Sequence, residues 1–295
     1  MRAALAAVNE AALAREPISQ CRFTDGRVFH FVEGGDGSPV VFAHGVMGDL
    51  WTWTPQWDAF RALYRTISYS RRFSAPNHNL PVASDHSALT EAADLLDLLA
   101  HWRAEPAILV GASYGGYASL AAALARPTSV RALVLAEPPL LYLAERTPAG
   151  RHLRAQFDQT VRIPARLAFA RGDDRLGLEL MLGGIAGLAS NSASLADAVE
   201  PRMRNVASIR NLTLSSNEFP VLADDELRSI ECPVLLLRGE ATAAIHRVVY
   251  DELSDILVHA ECQVVPGAGH GMARDNPTAF NHIVLDFLQR HGATR

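Results

Sequence analysis

Short apolar runs alternate with helical stretches along most of the chain. Arg27 to Glu33 alternates apolar and polar positions like a half-exposed strand, and the GGDGSP that follows reads as a turn. Pro39 to Ala43, Arg65 to Ser70, Pro106 to Gly111, Val130 to Ala136, Pro233 to Leu237 and Cys262 to Val265 are short runs of the buried-strand kind. Between them lie helical patterns: EAADLLDLLAHW, with Thr90 as the expected cap, an Ala-rich helix from about Tyr114 to Arg126, and Pro277 to Gln289 near the end of the chain. Strands alternating with helices predict an α/β fold, with a mostly parallel sheet covered on both faces.

The alternation stops between residues 140 and 230. That stretch is helical in character, with small-residue turns at Gly183-Gly184 and Ser190-Asn191-Ser192 and no convincing core strand. A helical insertion between two parallel strands is expected over the carboxyl edge of the sheet, where ligands bind in such folds. The division this predicts is a core of residues 1–139 and 231–295, with residues 1–18 as an N-terminal helical extension, and a cap of residues 140–230.

Composition narrows the function. Apolar residues make up 49% of the chain and charged residues 20%, enough to build a sizeable core. A net charge of −5 argues against nucleic acid or an anionic membrane as a partner. All 27 basic residues are arginine, which excludes Schiff-base chemistry and a P-loop lysine. Cys21, Cys232 and Cys262 lie far apart, which fits neither a zinc site nor a disulfide framework and suits the cytoplasm. No apolar run reaches the roughly 18 residues of a membrane span, and Asn9 and Glu10 cut the first run too short for a secretion signal.

The sharpest chemical signal is Gly111-Ala112-Ser113-Tyr114-Gly115, a G-x-S-x-G between a predicted strand and a predicted helix. A nucleophilic serine needs a strained turn to project its hydroxyl. Small residues on both sides let that turn close, and the helix N-terminus behind it favours developing negative charge.

With FAHGVMG (Phe42 to Gly48), GASYGG (Gly111 to Gly116), LAEPP (Leu135 to Pro139), PVLLLRGE (Pro233 to Glu240) and PGAGHGM (Pro266 to Met272) in this order, the chain resembles an α/β-hydrolase from about Arg27 to Gln289. The resemblance implies an eight-stranded, mostly parallel sheet flanked by helices, with a helical cap inserted after the sixth strand. It implies His270 as the base that activates Ser113, and the backbone N–H groups of Val46 and Tyr114 as the oxyanion hole. His44 is expected to brace the oxyanion loop. His282 and His291 read as surface residues.

The triad acid departs from the commonest pattern. The usual position after the seventh strand holds Thr242, in Gly239-Glu240-Ala241-Thr242, and threonine carries no charge to stabilise an imidazolium. Glu137, after the sixth strand, occupies the position used by a subset of the superfamily that includes zearalenone-type lactonases. Glu240 is the alternative, and Asp251 and Asp275 are weaker ones. Trp51, Trp53 and Met181 are candidate pocket residues, although the tryptophans also suit core anchors and the Met181, Leu182 and Ile185 stripe also suits a cap packed on itself. Arg71-Arg72 replaces a loop signature common in relatives, and Arg72 reads as a solvated charge, with a place at the pocket mouth as the alternative.

The expected function is a serine hydrolase that cleaves a small, largely apolar ester or lactone through an acyl-enzyme, with no cofactor and no metal. Carbon–carbon bond hydrolysis and acyl transfer use the same residues and remain open. So do a non-turnover small-molecule receptor and a cofactor-free oxygenase or lyase, the last of which would not need Ser113.

Overall fold

The computed structural model describes residues 13–79, 86–189 and 192–291. Residues 1–12 of the helical extension expected over 1–18, and most of the Ser190-Asn191-Ser192 turn, lie outside these. Eight strands form one sheet: β1 Ser19–Arg22, β2 Val28–Gly34, β3 Pro39–Ala43, β4 Arg65–Tyr69, β5 Ala107–Ala112, β6 Val130–Ala136, β7 Val234–Gly239 and β8 Glu261–Val265. Their spatial order is β1-β2-β4-β3-β5-β6-β7-β8. β1 pairs antiparallel with β2 and β2 with β4, and every other pairing is parallel.

Successive residues of the central strands face opposite sides of the sheet, as the pleat requires. Val41, Leu109, Leu133 and Leu236 enter one apolar cluster, and Val40, Ile108, Val134 and Leu237 enter another. The helices of the core are α1 Thr54–Arg61, α2 Ala88–Trp102 and α3 Tyr114–Ala125. α2 starts two residues before the expected Thr90, with Ser87 in extended geometry at its N-cap and no side-chain cap bond.

Between β6 and β7 the described residues form helices joined by loops, with no strand. It holds a tight turn at Leu141–Arg146, α4 Pro148–Phe157, a wide turn at Asp158–Arg162, α5 Ile163–Ala170, α6 Asp174–Ala186, α7 Ala193–Val199, a second tight turn at Glu200–Asn205, α8 Val206–Leu214 and α9 Asp224–Arg228. Thr147, Asp173 and Ser192 cap three of these helices by accepting from first-turn N–H groups. After β7 come α10 Ala244–Ile256, α11 Met272–Asp275 and α12 Pro277–Arg290.

The insertion meets the core just past the carboxyl ends of the parallel strands. Asn205 Nδ2 donates to Asp49 Oδ2 at 2.8 Å, and Asn205 Oδ1 accepts from Ala75 N at 2.8 Å. Ser208 Oγ accepts from Arg71 Nη2 at 3.3 Å. The Tyr117 hydroxyl donates to the Pro220 carbonyl.

Candidate active site

Ser113 sits between the last residue of β5 and the first of α3, at φ 50° and ψ −121°. That is strained backbone for a residue with a side chain, and such strain costs about 1–3 kcal/mol. It is held by Ser113 N donating to Ala136 O on the neighbouring strand at 2.7 Å. The turn closes only because position 115 is glycine: a Cβ there would lie 2.1 Å from the Ala43 carbonyl oxygen.

A second strained residue faces it from the next strand. Glu137 follows β6 at φ 46°, and its N–H donates to Leu237 O at 3.1 Å. Its carboxylate is buried and fully engaged. Oε1 accepts from Gly239 N at 2.9 Å, and Oε2 accepts from Thr242 Oγ1 at 2.9 Å and from His270 Nδ1 at 2.6 Å. Burial pushes the carboxyl up, but the hydrogen bond and charge of His270, with smaller help from His246 and the Gly239 N–H, hold it below the ordinary carboxylate range.

The residue at the usual acid position, Thr242, therefore serves as a donor to the carboxylate from the neighbouring strand. Gly239 lets the loop after β8 come close, since a Cβ there would lie 2.3 Å from the Gly269 carbonyl oxygen. That loop carries His270. With Nδ1 committed to Glu137, Nε2 is the nitrogen available to a serine hydroxyl. Among the described residues no hydrogen bond joins His270 to Ser113; such bonds are often long before substrate binds.

The other carboxylates lie elsewhere. Glu240 is exposed and accepts from Gly267 N at 2.7 Å, bracing the His270 loop from outside. Asp275 accepts from Gly269 N at 3.1 Å and pairs with Arg274. Asp251, His282 and His291 are exposed.

The loop after β3 packs against Ser113: a Cβ on Gly45 would lie 3.5 Å from the Ser113 Cβ. The Gly45 carbonyl accepts from His44 Nδ1 at 2.7 Å and from Arg71 Nη2 at 3.2 Å. A trans peptide sets its N–H opposite its carbonyl, so these two donors turn the Val46 N–H the other way. Among the described residues neither the Val46 nor the Tyr114 N–H has a hydrogen-bond acceptor. Tyr114 N is one of the unpaired first-turn amides of α3.

His44 Nε2 accepts from Arg71 N at 3.0 Å, which fixes the proton on Nδ1. Burial, aided by the Arg71 charge, pushes its pKa down to about 3, so the ring stays neutral. Arg71 is fully buried. It also donates to the His44 carbonyl at 3.1 Å, pairs with Glu91 at 2.8 Å, and lays its guanidinium 4.6 Å from the Tyr114 ring centre. One side chain thus ties the Val46 peptide to the first residue of α3. Sequence reasoning assigned Arg71 no role.

Two expectations from sequence need correction. Arg72 is no solvated charge: Nε and Nη2 bind both carboxylate oxygens of the buried Asp94, at 2.7 and 2.5 Å. Trp53 is no pocket residue, because it is fully buried on the opposite face of the sheet, stacked 4.7 Å from Phe42 and packed near Phe280. Trp51 packs against a small cluster of Leu13, Val32, Leu50 and Trp57, with the Arg204 guanidinium 5.2 Å above its ring. Met181 and Leu182 are buried in the apolar cluster that the insertion shares with the core. Phe219, from the insertion, stands edge-on to Tyr114 at 5.7 Å.

A cavity of about 500 Å³ lies between α4, α6 and the start of α10, lined by Phe157, Val161, Leu180, Leu195 and Ile245 among others. Neither Ser113 nor His270 is on its wall, so the chemistry of the side chains, not this cavity, marks the site.

Sequence reasoning also missed His246. It lies on the apolar face of α10 with Ile245, Val249, Tyr250 and Leu253, and a histidine on such a face was the signal available. Its ring stacks on that of His270, with centres 4.3 Å apart and planes 22° from parallel. Glu137, His246 and His270 keep their ligand atoms within 4.8 Å of one another. Imidazole lone pairs lie in the ring plane, so two stacked rings do not converge on one ion, and His270 Nδ1 is already taken by Glu137.

The profile of the alpha/beta hydrolase family matches residues 40–283, and the chain belongs to that family. Carboxylesterase YbfK of Bacillus subtilis is 26% identical over 269 residues, covering 88% of this chain and 83% of the relative. The sn-1-specific diacylglycerol lipase ABHD11 of Danio rerio is 29% identical over 262 residues, covering 86% of this chain and 80% of the lipase. The solved structure of a thermophilic esterase from Thermogutta terrifontis superposes with a TM-score of 0.71 at 18% identity, covering 93% of this chain and 99% of that one. No helix among the described residues is long and apolar enough to cross a membrane.

Proposed function

We propose that the protein is a serine hydrolase that cleaves a carboxylic ester or lactone of a small, largely apolar molecule. The observation that carries this reading is the Glu137–His270 pair, 2.6 Å apart, on the same sheet edge as the strained Ser113 turn. His270 Nε2 takes the proton of the Ser113 hydroxyl as its oxygen attacks the carbonyl carbon. Glu137 steadies the imidazolium that results. The Val46 and Tyr114 N–H groups hold the oxyanion of the tetrahedral intermediate, where one such donor is worth about 10²–10³ in rate. His270 then protonates the departing alcohol oxygen and the acyl–Ser113 ester remains. Water, deprotonated by His270, attacks that ester and restores Ser113.

An ester is favoured because relatives in the family are named as a carboxylesterase and a lipase. An apolar substrate suits the Tyr114 and Phe219 rings beside the turn. We take residues 140–230 as a cap over this edge. The three free thiols suit the cytoplasm.

The test is turnover of a graded panel of p-nitrophenyl esters and simple lactones. The expected result is many product equivalents per protein on at least one substrate, with a preference set by acyl length or ring size. Release that stops after about one equivalent would mark a receptor, since only an enzyme regenerates its nucleophile.

A further inference from the structure

The mechanism above leaves one ring at the centre of the site unused. His246 is 5% exposed and stacks on His270. Its Nε2 lies 3.2 Å from the Ile185 carbonyl near the end of α6. A carbonyl only accepts, so Nε2 carries the proton and Nδ1 carries none. Burying a polar ring costs free energy that an apolar residue of the same size would not incur. The titratable groups acting on it are His270, from the loop after β8, and Glu137, from the end of β6. Burial, with His270 adding to it, pushes its pKa down to about 3, so the ring is neutral wherever His270 works as a base.

We propose that His246 is a positioning residue: a neutral ring whose stacked face holds the His270 imidazole against Glu137 and links it to the insertion through the Ile185 carbonyl. The inference rests on the reading that His270 is the base. When His270 accepts the serine proton, the new cation lies over a neutral aromatic face, which attracts it.

Two substitutions in the full chain separate this role from packing. His246→Leu fills the space without an aromatic face, and His246→Phe keeps the face. The readouts are the NMR titration of the His270 ring, the acid limb of kcat/KM, and the melting temperature. His246→Leu is expected to lower the His270 titration and the acid limb together by about half to one pH unit, with kcat falling more than KM changes. His246→Phe is expected to return both to within about 0.2 unit of the unsubstituted protein. An unchanged His270 titration in both variants, with only a lower melting temperature, would make His246 a space-filler and overturn the proposal. Equal shifts in both variants would overturn it as well, because the face would then not be the cause. If the protein hydrolyses nothing in the ester panel, the ester reading fails, while the NMR titration still decides whether the stack acts on His270.

Discussion

Alanine at position 113 is expected to lower kcat for ester hydrolysis by about 10⁶-fold and to leave the fold in place. The loss is this large because the substitution removes the only atom that forms the covalent bond, and His270 and Glu137 then have nothing to activate. The fold is expected to survive because the bond that holds the turn runs from Ser113 N to Ala136 O and needs no hydroxyl. The Val46 and Tyr114 amides also survive, so a residual rate of about 10³–10⁴ over water is expected. Steady-state kinetics with circular dichroism on the same preparation checks both halves. Retention of a tenth of the activity would move the reaction away from Ser113, toward a lyase or cofactor-free oxygenase.

Glu137→Gln carries the second large effect, a fall in kcat of about 10⁴-fold, the scale of losing the triad carboxylate. Glutamine has nearly the same shape, and its carbonyl oxygen still accepts from Gly239 N. What disappears is the charge 2.6 Å from His270 Nδ1. Its environment holds Glu137 below the ordinary carboxylate range, so the charge is present throughout neutral pH and its loss is felt there. Glu240→Gln is the control and is expected to stay close to the unsubstituted enzyme, because that carboxylate is exposed and, among the described residues, its side chain hydrogen-bonds only the Gly267 amide. Adding Thr242→Asp to Glu137→Gln is expected to recover about tenfold or more, since it returns a carboxylate from a residue already bonded to position 137. Comparison of kcat/KM across the four proteins decides it. Collapse of Glu240→Gln with Glu137→Gln intact would reverse the assignment.

The parts of the fold legible in the sequence were those fixed by local pattern. β3, β5, β6 and β7 are buried on both faces, so each reads as a continuous apolar run. β1 was not legible, because only Cys21 of its four residues is buried and no alternation survives. α10 was passed over because His246 puts a polar ring in its apolar stripe. At the site, Ser113 and His270 stand in local motifs, and Glu137 stood out once Thr242 was seen at the usual acid position.

What Thr242 does was not legible, because its hydroxyl bonds across strands to a residue 105 positions away. Arg71 was given no role and Arg72 read as a loop charge for the same reason. Their partners, Glu91 and Asp94, sit on the buried side of α2, and only the folded chain turns that side toward β4. The stack of His246 on His270 joins two elements that share no sequence pattern.

The central claim is that the reaction passes through an acyl bond to Ser113. Peptide mass spectrometry after rapid acid quench of the enzyme with a slowly deacylating p-nitrophenyl ester tests it most directly. The account predicts one acyl group on the peptide that contains Ser113, formed within one turnover and absent from Ser113→Ala. Steady hydrolysis with no adduct, or an acyl group on another residue that Ser113→Ala leaves intact, would contradict it.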